Sequence, residues 1–538
     1  MKHIRFFIFL MAMVAFGAAS AQTTDEDAAL RQKINAAVMK VYDDALAKDP
    51  TDYNTRFARA NQLYYNGDLT RALADVTECI NATPESETDL RYDQLLLRAK
   101  IYDVTKQYAS EQADLKQALS INPSNLAGVD MMAKLALNQG DYATAESNFN
   151  AILRQAPQNY DALYGLARVE AKRSNWDKAQ EYANRAVSLF PAEQQVYLNR
   201  ADVYAMMGQY QPAAQDLIIA MSVSNNQQKA VSQLLAMSDT HYDAVMKALQ
   251  TSIDNAPRVG TFPYLRATVA MRRLHYGQAL KNLNSIINNQ LSNDYSVYFD
   301  QARCLFELQR YDEALEAVNK GLENKTDDPE AYVLKAQILE HQGQGANYDA
   351  ALEALKAGEQ VRAAYVPNQL AQARILVAKR QNDEALALLN DIIAANPRNN
   401  EALLLRGWVN KYRLRNAEAG LADFGLAVNN GSDLASLKGF ALHELGRDDE
   451  ARTWAQDIIR DNVLPGGEAY ACASALLSDI GDTDQAVKYL ESALANGYGS
   501  LFEVMTNVDP YVNLKLVRRA PDFQTLVDRY KTNFTEHE

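Results

Sequence analysis

Between Leu126 and Pro157 the chain reads LAGVDMMAKLALNQGDYATAESNFNAILRQAP, and its apolar residues fall into two helical series. Val129, Met132, Ala133 and Ala136 recur at i, i+3, i+4 and i+7, the stripe of an amphipathic helix. Tyr142, Ala145, Phe149 and Ile152 recur at three- and four-residue spacing and predict a second helix. Gly140 and Asp141 part the two: glycine takes the left-handed conformation that ends a helix, and aspartate caps the next one. Pro157 stops the second helix, because it lacks an N–H and its ring clashes with the preceding turn. Ala133 and Ala145 are small enough to let two antiparallel helices approach closely. Such a pair buries one face only and needs neighbours to cover the rest.

The neighbours carry the same pattern. With Pro157 as position 32 of the unit, small residues recur at position 8 and mostly at position 20. The unit before has Ala99, Leu115, Ala118 and Pro123, with Glu111 in place of the small residue at position 20. The unit after has Ala167, Trp176, Ala179, Ala186 and Pro191. Pro84, Pro123, Pro157 and Pro191 lie 39, 34 and 34 residues apart; Pro257, Pro329, Pro397 and Pro465 follow near two periods, at 66, 72, 68 and 68. This phase resembles the tetratricopeptide repeat family over roughly residues 51–495, in about thirteen units. The resemblance implies an all-α fold, a right-handed superhelical solenoid of antiparallel helix pairs, and a protein or peptide partner held without catalysis.

The repeats set the remaining boundaries. Residues 22–50 predict one capping helix, with Leu30, Ile34, Ala37, Val38, Val41 and Ala45 on one side. The array runs over 51–496 and weakens at 221–259, where Ser222–Gln228 is polar before Leu234, Tyr242 and Leu249 restore the register. One unit lengthens its turn at Gly343–Asn347, and the unit Asn400–Asn430 holds one extra residue. Residues 497–538 lose the pattern and predict a short helix pair capping the last repeat, since solenoid ends need a cover with a polar outer face.

Composition adds an address and excludes partners. Lys2 and Arg5 precede an apolar run from Phe6 to Ala19 and an Ala19-Ser20-Ala21 site, so residues 1–21 predict a secretory signal peptide cut before Gln22. The run is short of the ~20 residues a span needs. A bacterial periplasm is the expected compartment, with secretion or surface attachment as alternatives. The 538-residue chain carries a formal charge of −14, and about −16 without Lys2 and Arg5, which argues against general binding to nucleic acid or anionic membrane. Cys79, Cys304 and Cys472 lie many repeats apart, so they read as three small buried hydrophobes rather than disulfide partners.

Catalytic and cofactor-binding spacings are missing. His443-Glu444 starts like a zinc-protease motif, but the place of its second histidine holds Arg447. No CxxC pair, GxSxG elbow or phosphate loop occurs, so neither an enzyme nor a cofactor or metal site is expected. What remains is a surface. In the tetratricopeptide repeat family, first-helix positions 2, 5, 9, 12 and 13 line the concave face. The resemblance therefore implies a wall holding Asn61, Tyr64 and Tyr65, then Lys134 and Asn138, then Tyr164, Arg168 and Lys172. Farther along, it implies Phe299, Arg303 and Phe306, then Arg374, then Trp408, Lys411 and Tyr412. The family's carboxylate clamp uses Lys at position 5 and Asn or Arg at position 9. Arg168 fits, but Asp130 and Tyr164 occupy position 5, so the clamp is not reproduced. Two readings stay open at Lys134, Arg168 and Lys172: ordinary solvated residues, or a slot for an acidic segment. Groove Tyr and Trp leave binding of a glycan or cell-wall polymer as the alternative function.

Overall fold

The computed structural model describes residues 25–343, 346–430, 437–461, 464, 467–506 and 514–536. The expected signal peptide, the start of the 22–50 segment, Gln344 and Gly345 of the lengthened turn, Pro465, and residues 507–513 and 537–538 of the tail lie outside them. Every described regular element is helical, and within each unit the helices of the repeats pack on their neighbours in the chain. The helix Asp25–Lys48 comes first; thirteen two-helix repeats follow in chain order among the described residues, from Tyr53–Tyr65 and Leu69–Ala82 to Glu468–Ile480 and Thr483–Ala495.

The pair at 126–157 shows why the pattern folds this way. Asn125 caps Leu126–Gln139 by accepting from the Ala127 N–H, and Asp141 caps Tyr142–Gln155 by accepting from the Thr144 N–H. Gly140 ends the first helix in the left-handed region, at φ 80°. Ala133 and Ala145 are fully buried, and Phe149 and Ile152 nearly so. Phe149 and Ile152 contribute roughly 2–3 kcal/mol each by leaving water. The left-handed turn is a property of the register rather than of glycine. The same turn holds positive φ at Lys106, Ser174, Leu274, Gln309, Arg380 and Arg415.

A second regularity joins the two helices of several pairs. Arg59 with Asp75, Arg98 with Asp114 and Arg200 with Asp216 form two-pronged ion pairs sixteen residues apart, at 2.7 Å. Arg406 and Asp423 make the same bond seventeen apart. The extra residue of that unit is absorbed before the pairing point. Val409–Arg413 winds as a π-helix, and the Leu414 N–H reaches the Val409 carbonyl five residues back.

The molecule divides into two compact units. One holds the described residues up to Leu234 and the other those from Leu235. The division falls inside helix Gln228–Thr240, in the stretch where the repeat pattern weakens. That stretch still holds two helices in chain order, Gln228–Thr240 and Tyr242–Asn255. No described helix is long and apolar enough to cross a membrane.

Candidate functional site

In the first unit the expected wall residues come from the first helices of the first, third and fourth repeats. Asn61, Tyr64 and Tyr65 sit on Tyr53–Tyr65. Tyr64 and Tyr65 meet edge to face at 5.8 Å, and Tyr65 is 79% exposed. The Asn61 amide donates to the Phe57 carbonyl one turn back on its own helix. Lys134 and Asn138 are exposed on Leu126–Gln139, and Lys134 is held by Asp130 one turn back at 2.6 Å. Tyr164, Arg168 and Lys172 sit on Tyr160–Lys172. The Tyr164 hydroxyl donates to Asp202 of the next first helix at 2.7 Å, and the Arg168 guanidinium lies over the Tyr164 ring at 5.6 Å. Burial and the Asp202 carboxylate together raise the Tyr164 pKa, so it stays a neutral donor.

The register brings one more cation that the residue-by-residue reading passed over. Lys100 is exposed at the same repeat position as Lys134 and Arg168, each 34 residues from the next, and Asp202 ends the series. The 34-residue spacing alone identifies it. Acids share the wall. Partial burial raises the carboxyl pKa of Asp93 and of Asp161, against the pull of Lys100 and Lys134 respectively. Lys134 is thus already countered by Asp130 and Asp161. Among the described residues no carboxylate pairs with Arg168 or Lys172.

In the second unit the expected residues are mostly engaged. Phe299 and Phe306 differ from the open wall residues that the register implies. Phe299 is buried against Gly321 of its own pair, and Phe306 lies under Phe502 of the tail at 4.5 Å between rings. Both are covered because the apolar rings find intramolecular partners. Arg303 lies near the half-buried Asp300, whose carboxyl is pushed up to about 6 by desolvation, with Arg303 and the Tyr264 hydroxyl opposing. Arg374 stands 3.8 Å from Glu401. Lys411 and Tyr412, carried on the π-turn, both reach Glu444 of the next pair, at 2.9 and 2.8 Å; Trp408 packs beside Tyr412. Tyr412 remains half exposed.

Cys79, Cys304 and Cys472 are buried and joined in no disulfide, and burial pushes the Cys79 thiol up to about 12. Among the described residues no cluster of three metal-ligating side chains occurs.

Tetratricopeptide repeat family models match residues 131–192, 275–338 and 370–428. The chain is a tetratricopeptide repeat protein. Its matches start within the pair discussed above and fall in both units, and proteins of this repeat type serve as interaction scaffolds. A relative, cellulose synthase operon protein C of Pseudomonas fluorescens, is 26% identical over 179 residues, which is 32% of this repeat protein and 13% of that relative's length. Among solved structures, yeast Tom70 is 14% identical with a TM-score of 0.34, covering 77% of this chain and 98% of that one. YrrB, described as a TPR protein with an unusual peptide-binding site, is 16% identical with a TM-score of 0.27, covering 36% and 96%.

Proposed function

We propose that this tetratricopeptide repeat protein is an exported, non-catalytic scaffold that holds a protein segment along the first-unit wall. The observation that carries the reading is the pair Arg168 and Lys172. They are cations on the family's binding register that no described carboxylate neutralises. Arg168 is set in place by the Tyr164 ring beneath it. A guanidinium held this way meets an acidic side chain or chain-terminal carboxylate with little loss of side-chain freedom. The partner segment is acidic at the residues that reach Arg168 and Lys172. The periplasm is the proposed site of action, reached through the leader at residues 1–21.

The test compares the full chain with an Arg168→Glu/Lys172→Glu variant in pull-downs from envelope extracts. Loss of the same bound proteins from the variant supports the wall, and an unchanged set of bound proteins refutes it. N-terminal sequencing of the exported protein tests the address: a start at Gln22 supports it, and an intact Met1 in a cytoplasmic fraction refutes it. The second reading, a glycan or cell-wall polymer as ligand, draws on the exposed Tyr65 ring and on the cellulose for which one relative is named. Co-sedimentation with insoluble polymer, lost on Tyr65→Ala, would favour it.

A further inference from the structure

The tail does more than cap the last pair. Residues 514–536 do pack there: the Leu516 N–H donates to Ser478 Oγ at 3.3 Å, Asn533 Nδ2 donates to the Leu494 carbonyl at 2.7 Å, and Arg529 pairs with Glu491. The tail also reaches back across the second unit. Ser500 Oγ donates to Glu307 at 2.5 Å, 193 residues away in sequence. Phe502 stands 4.5 Å from Phe306 and 4.7 Å, edge-on, from His341. Glu536 takes Arg310 at 2.8 Å and Asn284 at 3.0 Å, across 226 and 252 residues.

The array is written to receive it. Gly277 is the second residue of helix Tyr276–Asn288. In every other described second helix that place is exposed and carries a side chain, an aspartate at 177, 243, 312, 349, 383, 449 and 484. Gly277 is buried, and a Cβ there would fall on the Thr535 carbonyl. Glycine is the poorer helix former, by up to about 1 kcal/mol against alanine. The exception to the repeat pattern therefore sits where the tail backbone passes. The helix Leu501–Met505 has five residues, too few to hold without docking.

We propose that residues 497–506 and 514–536 form a clasp. It docks on a rim built by Gly277, Asn284, Phe306, Glu307, Arg310 and His341, and ties the seventh to ninth pairs to the thirteenth. In a plain solenoid each repeat touches its neighbours only, and stability is a sum of repeats and nearest-neighbour interfaces. The clasp adds a contact between distant repeats, so the pairs between its two anchors open together rather than fraying from an end. It also seals Phe306, whose face on the binding register becomes accessible only when the clasp undocks.

Hydrogen exchange on the full chain tests this with Gly277→Asp, Phe502→Ala, and Ala143→Asp as a control at the equivalent exposed place in the first unit. The clasp requires that both second-unit variants keep their helical circular dichroism. It also requires that they lose protection at least tenfold, together, in 274–311, 468–495, 501–505 and 531–534, while the control does not. Faster exchange confined to 531–534 in Gly277→Asp, with 296–307 and 501–505 still protected, overturns the proposal, because the contacts would then be independent. Unchanged exchange overturns it as well. So does collapse of the helical signal in both variants, because the tail would then be core rather than clasp.

Discussion

Glu111 holds a place that is alanine in most repeats, valine at Val245 and glycine at Gly420. Its side chain is 3% exposed, and Oε2 is buried with no hydrogen-bond partner in the structure. Burial pushes the carboxyl up to about 7 from 4.5, with Asp103 adding to the rise. The folded protein therefore binds a proton that the unfolded chain has released, and stability falls as pH rises from 4.5 through 7. At 1.36 kcal/mol per unit, the loss between pH 5 and pH 8.5 is at most about 2.5 kcal/mol. Glu111→Gln keeps the shape and removes the charge. Urea unfolding of both proteins at the two pH values isolates the effect, since every other titrating group is common to them. The stability of the glutamine variant relative to wild type should improve by about 2 kcal/mol from pH 5 to pH 8.5. An equal difference at both pH values would refute the reasoning, because it would place the Glu111 carboxylate in water or beside a cation.

Three other outcomes follow from the same geometry. Asp114→Ala strands the half-buried Arg98 guanidinium and should cost about 3–4 kcal/mol in urea unfolding, while Arg98→Met/Asp114→Leu should recover most of it. Arg380→Gly relieves a left-handed residue at φ 63° and should gain about 1 kcal/mol, read as a higher thermal midpoint. His341 is held near pKa 4 by burial, with Arg374 adding to the fall from 6.5, so the folded state binds fewer protons than the unfolded one. Stability of the second unit is then full above pH 6.5 and falls by about 3 kcal/mol as pH drops through 4. His341→Phe should flatten that loss in acid unfolding curves.

The period of small and apolar positions makes the helices, their turns and their order legible in the sequence. Ala133, Ala145 and Phe149 sit where their spacing puts them. The two-pronged ion pairs also leave a mark in the sequence: an aspartate sixteen residues after an arginine marks them at Arg59, Arg98 and Arg200. The fate of Phe306 was not legible. A repeat register assigns a residue to a face, but it carries no information about a segment two hundred residues away that covers that face. Gly277 was the one local sign, a missing side chain where the other second helices carry one. The π-turn at Val409–Arg413 could be anticipated as one extra residue but not located, since its position is set by the Arg406–Asp423 pairing that it preserves.

The register and the ion pairing answer different questions about the wall. Register says that Lys100, Lys134 and Arg168 share a face; pairing says which of them is available. Lys134 must give up Asp130 before it can hold a ligand, and an exposed pair of that kind is worth ~0–1 kcal/mol, so its exchange for a partner carboxylate yields little. Lys411 is more committed still, because Glu444 takes it through both side chain and backbone. Arg168 has only an aromatic face to leave. Positive charge on the register is therefore a poor guide by itself, and the strength of the first-unit wall concentrates at Arg168 and Lys172. There, on the function proposed above, a partner's carboxylate would replace water rather than an internal acid.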